Sequence, residues 1–269
     1  MSAQKLPAFL TAPKTRALAL CSLAVCVLLL VGAFVPLPFT LTQPGVTVDT
    51  LGEYQGKQVI TISGAPVRTT TGQLRATTIS ATNPDQKLSL RRALEAWANE
   101  DEALRPTDQV YPESDPADAQ EETQRQMTES QDAATLAALG YLHLSPSQVK
   151  VTVNLGDIGG PSAGQMIALG IIDKLAGDGK GGDLTGGTVV AGTGTVDADG
   201  RIGAVGGVPL KTLAAARDGA TVFLVPLGEC AEARVNTPEG LRLVPVETLA
   251  DSVAALTALH SGSGTVPHC

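Results

Sequence analysis

Apolar and polar positions divide the chain into an N-terminal run and a long patterned region. From Ala17 to Phe34 there is no charge and almost no polar side chain, and residues 35–39 extend the run before polar residues begin. That reaches the roughly 18–20 residues a membrane-spanning helix needs. Beyond it, residues 40–56 read as turn-rich, with Pro44-Gly45 and Gly52. Residues 58–63 and 74–80 alternate and are β-branched, which predicts two strands. Residues 88–97 have helical spacing, with Leu90, Ala93, Leu94 and Trp97 on one side. The acidic, Pro-containing stretch 99–119 reads as a solvated loop.

A helix is predicted over 121–142, with Met127, Ala134, Ala138 and Leu142 near one face, and a strand over 149–154. A Gly-rich turn then leads into a very apolar helix, 162–175. A flexible Gly/Asp loop, 176–187, precedes a strand over 188–196. Residues 209–217 form a helix with Pro at its start and Gly219 beyond its end. Short strands over 221–226 and 241–244 and a closing helix over 246–259 complete the pattern. No internal repeat is seen. Strands alternating with helices indicate an α/β or α+β domain.

Charge gives the first run a direction. Lys5, Lys14 and Arg16 precede it and no Lys or Arg follows until Lys57. The positive-inside bias then predicts a cytoplasmic N-terminus (1–16), an anchor (17–39) and an exported remainder. A cleaved signal peptide would have a shorter apolar stretch and small residues at the cut, and Leu20 and Val25 before Cys21 and Cys26 are unsuited to lipid attachment. Export leaves Cys230 and Cys269 alone on the oxidising side, so a disulfide between them is expected.

The 269 residues carry a net charge of −8, which argues against nucleic acid as a partner. With no CxxC pair and three scattered histidines, neither a metal site nor a cofactor is expected. Small-residue patches could pack subunits or pack helices within the domain, and a homo-oligomer stays open.

Two segments could carry chemistry. In the stretch 157–164, two glycines and Pro161 lead into a helix whose start holds Ser162. Free amides there suit an oxyanion, and a plain N-cap serine is the other reading. A serine nucleophile needs a base. His143 ends a helix, and His260 and His268 lie in a Gly/Ser-rich tail, so a histidine triad is not indicated. Lys211, among Val, Leu and Ala, would serve if burial kept it neutral; a lysine on the wet face of the helix is the alternative.

Together these segments resemble the Lon peptidase family. Gly160-Pro161-Ser162-Ala163-Gly164 matches that family's GPSAG serine motif. Thr193-Gly194-Thr195-Val196, Gly200-Arg201-Ile202, Gly206-Gly207 and Lys211 follow in the family's order, and residues 127–134 resemble its M-x-ES helix. The resemblance covers residues 120–258. It implies the Lon proteolytic fold (ribosomal protein S5 domain 2-like) over 120–259, with 40–119 as the preceding part of the exported region and 260–269 as a tail. It implies Ser162 as nucleophile, Lys211 as general base, Thr193 as orienting residue and amides around Gly160 to Ala163 as oxyanion donors, acting on polypeptide substrates. The nearest resemblance is to membrane-anchored Lon-like proteins.

Several features depart from the family. No GxxxxGK[ST] segment is present, so no ATP use is expected. Only residues 144–150 separate the 121–142 helix from the next strand, which leaves no room there for a PDZ domain. Gly159 replaces an acidic residue, and the Ser-to-Lys separation is several residues longer than usual, which loop 176–187 can absorb. Ser147-Gln148-Val149-Lys150 is an S-x-x-K match of the penicillin-binding type, but it enters a strand, and Lys211-Thr212 is followed by Leu213 rather than Gly. A catalytically silent Lon-fold binding module is the rival from another class.

Overall fold

The computed structural model describes residues 13–83, 85–111, 116–156 and 160–269. Lys5, part of the acidic stretch, and the 157–159 segment with Gly159 lie outside the described residues.

Helix α1 (Pro13–Phe34) is followed by strand β1 (Phe39–Asp49), the hairpin β2 (Glu53–Tyr54) and β3 (Lys57–Gln58), then β4 (Ile60–Ser63) and β5 (Gln73–Ala81). Next come α2 (Leu90–Trp97), β6 (Ala103–Pro106), α3 (Thr107–Val110) and α4 (Pro116–Tyr141). Strand β7 (Lys150–Val153) precedes a 3-10 turn, Pro161–Ala163, and α5 (Gly164–Leu175). The chain continues through β8 (Val189–Gly192), the hairpin β9 (Thr195–Val196) and β10 (Ile202–Gly203), and α6 (Val208–Arg217). It closes with β11 (Val222–Pro226), α7 (Cys230–Ala233), β12 (Arg242–Val246) and α8 (Leu249–Ser261).

The principal sheet has the order β12-β11-β8-β5-β1-β6, parallel from β12 to β5 and antiparallel at β1 and β6. Alternate strand residues face opposite layers. Leu224 joins a core with Leu74, Val190, α4, α8 and the apolar residues of the buried helix α5, whereas Phe223 and Val225 face Val208 and Ala215 of α6. The sheet thus separates α5 from α6. Each fully buried Leu, Ile or Phe in these layers contributes roughly 1.5–3 kcal/mol.

Several elements differ from the sequence expectation. Residues 39–49, read mostly as turn, form the long strand β1. Pro44-Gly45 sits at a shift of register against β5, where a bulge tolerates the missing N–H. The acidic stretch holds β6 and α3 and the start of α4; β6 pairs with β1, and Arg92 clamps Glu102 through two bonds of 2.8 and 2.6 Å. Strand β7 pairs with β4, outside the principal sheet. Loop 176–187 is a series of bonded turns. Asp178 accepts from the Lys180 and Gly182 amides, and Asp183 accepts from the Thr71 amide and Arg68.

The apolar side expected of α2 is also corrected. Ala93 and Ala96 form its buried face, while Leu94 is 54% and Trp97 82% exposed. Small alanines allow the helix to approach the chain beneath it, and the large side chains are left outside. Helix α8 starts later than expected because Pro245 and Val246 belong to β12. A capping box between Thr248 and Asp251 sets its first turn.

At the N-terminus, α1 runs for 22 residues with its large apolar side chains exposed, Leu18, Leu28 and Phe34 among them. Among the described residues no helix is long and apolar enough to cross a membrane. Within α1 the side chains described without a break are those of residues 16–32. The anchor expected over 17–39 is therefore not established by the structure, and residues 35–39 leave the helix to enter β1.

Candidate active site

The site lies at the carboxyl end of β8, where the chain leaves the sheet. Residues 188–196, expected as one strand, break at Thr193-Gly194. The Thr193 amide donates to Leu224 O at 3.1 Å, still in the sheet, and the Gly194 amide turns away to Ser162 O at 2.9 Å. Glycine is required at 194, since a Cβ there would lie 2.7 Å from Gln165 Oε1 and 2.8 Å from Ile202. The Gln165 amide returns the bond to Gly194 O at 3.1 Å, so the serine turn and the strand end are stitched in both directions.

Ser162 is in the 3-10 turn ahead of α5 rather than in the helix itself. Gly160 is extended and Pro161 has no N–H to offer, so the helical ladder starts only after them. Ser130 of α4 donates to Pro161 O at 3.0 Å and steadies the turn from the other side. The residue is half-buried. The amides of Gly160 and Ala163, the oxyanion candidates, lie on this turn. That of Ala163 meets Gly160 O at 3.4 Å, a long bond that a charged acceptor would displace.

Lys211 reaches the same place from the opposite face of the sheet. Gly207 adopts the left-handed region (φ 71°) and Pro209 follows in the first turn, which starts α6 and puts Lys211 one turn in. Its amide donates to Gly207 O at 3.2 Å. The side chain is not on a wet face, as the residue is 3% exposed. Lys211 Nζ donates to Thr193 Oγ1 at 3.0 Å, and the Thr193 hydroxyl donates to Ser162 O at 3.3 Å. Thr193 is fully buried, so this hydroxyl is a fixed bridge between lysine and serine backbone. Ser162 Oγ and Lys211 Nζ make no direct hydrogen bond in this conformation; such bonds often tighten only with substrate in place.

Burial holds the Lys211 ammonium down to a pKa of about 8, with Arg105 adding to the depression and Glu229 and Glu232 opposing it. A good fraction is therefore neutral at mildly alkaline pH and can take a proton.

Residues 129–258 match the family model described as the Lon protease (S16) C-terminal proteolytic domain. This stretch belongs to the Lon peptidase family. No curated protein matches the chain. The Lon domain is of a serine peptidase family, so its expected substrates are polypeptides. Its match begins at Glu129, next to the Ser130 that holds Pro161, and ends within α8. Strands β1 and β5 precede the match yet complete the sheet beside β8.

The Lon domain's carboxyl tail is fastened by a disulfide between Cys230 and Cys269, as expected from the sequence, with Cα atoms 5.2 Å apart. The structure also brings in residues that sequence reading left without a role. Ser130 was within reach, since it lies in the M-x-ES resemblance. Gln165 is fully buried and bonds Ser252 at 3.2 Å, and Arg105 and Glu229 bear on Lys211 from distant parts of the chain. Spacing holds no signal for these three. Lys150 of the S-x-x-K match is exposed at the start of β7, away from any such packing.

Proposed function

We propose that the Lon domain is an ATP-independent serine endopeptidase that works through a Ser162–Lys211 dyad. The observation that carries this reading is the buried Lys211 amine bonded to Thr193, whose hydroxyl in turn holds the peptide of Ser162. In this mechanism neutral Lys211 takes the Ser162 proton as the hydroxyl oxygen attacks the scissile carbonyl. Thr193 keeps the amine aimed while its charge rises. The lysine ammonium then protonates the leaving amine, and water, deprotonated by the same lysine, hydrolyses the acyl-enzyme. Amides of the Gly160–Ala163 turn face the developing oxyanion.

The reading includes a membrane anchor in residues 17–39, with the N-terminus cytoplasmic and the Lon domain outside. Support comes from the uncharged run 17–34 and its one-sided basic flank, Lys14 and Arg16. The substrates would then be envelope or secreted polypeptides. Alkaline extraction of membranes from cells making the full chain should leave it in the pellet; release into the supernatant would rule out the anchor.

The catalytic test is cleavage of unfolded casein by the detergent-solubilised full chain without ATP, beside Ser162→Ala and Lys211→Ala. Activity in the wild type alone, with unchanged circular dichroism, is the expected result. Activity that survives Ser162→Ala would remove the nucleophile from the scheme.

A further inference from the structure

Glu229 ends the short 3-10 turn Leu227–Glu229 and adjoins the disulfide at Cys230. One carboxylate oxygen accepts the Val205 amide at 2.7 Å. Val205 belongs to the loop that runs through Gly207 into α6, so this bond fastens the approach to the helix that carries Lys211. The second oxygen, Oε2, is buried and has no hydrogen-bond partner. A buried carboxylate with an idle oxygen is costly unless a nearby positive charge compensates it.

Lys211 is the positive charge that can do so. Three charged groups bear on it: Glu229, Glu232 of α7, and Arg105 of β6. The charges on other strands packed against α6 are committed elsewhere. Asp49 of β1 accepts the Leu51 and Leu74 amides, and Arg75 of β5 bonds Gln73 and Thr47. Strand β8 carries none.

We propose that Glu229 is a positioning residue for Lys211: its carboxylate fixes the loop that opens α6 and keeps a partly buried negative charge at the approach to that helix. This rests on the reading of Lys211 as the general base. Glu229 thereby restrains the base at neutral pH and supports the ammonium that later protonates the leaving amine. The Cys230–Cys269 bond helps to hold the turn on which Glu229 sits. Glu229 is itself pushed up by burial and held back by the Val205 amide, with Glu232 raising it further and Lys211 lowering it.

The test compares the full chain in detergent with Glu229→Gln and Glu229→Ala. Glutamine keeps an acceptor for Val205 and loses only the charge. The rising acid limb of kcat/KM should move to lower pH in Glu229→Gln by about half a unit or more, with activity at pH 7 up about two- to threefold and KM little changed. Glu229→Ala should show the same displacement with a lower plateau, because the loop loses its tether as well. A limb in Glu229→Gln that superimposes on the wild type would overturn the proposal. An independent readout is the titration of 13C-labelled Lys211, assigned by its loss in Lys211→Met. A lowered midpoint in Glu229→Gln supports the proposal even without peptidase activity, in which case only the peptidase reading fails. An unchanged midpoint overturns it.

Discussion

Replacing Lys211 by methionine should make the protein more stable at neutral pH while abolishing activity. The lysine is 3% exposed and its folded-state pKa is about 8, against 10.5 when unperturbed. Below pH 8 it is charged in both folded and unfolded states, and folding bears the full cost of burying that charge. The downward displacement corresponds to about 3 kcal/mol. As pH rises from about 8 towards 10.5 the folded lysine gives up its proton while the unfolded one keeps it, so the unfolded state binds more protons and wild-type stability increases. Methionine preserves length and apolar volume but loses the bond to Thr193 Oγ1, a loss of about 1 kcal/mol. The net gain at pH 7 should thus be about 2 kcal/mol, and the difference between the two proteins should change by about 3 kcal/mol in the wild type's favour by pH 10.5. Urea unfolding of both, followed by circular dichroism at several pH values, measures this directly. A stability difference that does not vary with pH, or that favours the wild type more at pH 7 than at pH 10.5, would refute the claim that Lys211 is buried at the cost of its charge.

Thr193 provides a second check. Thr193→Val removes both the acceptor of Lys211 Nζ and the donor to Ser162 O, and leaving a buried amine unpaired costs about 1–3 kcal/mol, so kcat should fall roughly 10- to 100-fold. Thr193→Ser, which restores the hydroxyl, should recover most of it in the same casein assay. Peptidase activity of the wild type should rise through an apparent pKa of about 8, the value set by Lys211; a rate independent of pH from 6 to 9 would point to another base. Cys269→Ser opens a loop of 39 residues and should lower stability by roughly 2–4 kcal/mol, measured by urea unfolding without reductant. Equal stability would show the tail to be fastened by other contacts.

The parts of this protein legible in the sequence are those encoded locally. The GPSAG segment specifies its own turn, because Gly160 permits extension and Pro161 delays the helix. Pro209 near the start of α6 and Gly219 after its end bound that helix without help from elsewhere. The long apolar run of α5 could only be a buried element, and strand β5 declared itself by alternation. Cys230 and Cys269 were paired by counting.

Strand β1 was hidden because Pro44-Gly45 reads as a turn unless a neighbouring strand supplies the bulge that accommodates it. Strand β6 was hidden by the charges around it, since pairing with β1 rather than apolar pattern makes it a strand. Leu94 and Trp97 share the helical spacing of a core face, yet α2 is packed through Ala93 and Ala96. The sequence by itself therefore singled out the candidate residues Ser162 and Lys211, through short motifs whose backbone preferences are intrinsic. Only the tertiary structure decided that Lys211 is buried, that Thr193 joins it to Ser162, and that Glu229 and Arg105 act on it. Burial and charge proximity depend on which faces of distant elements the sheet brings together.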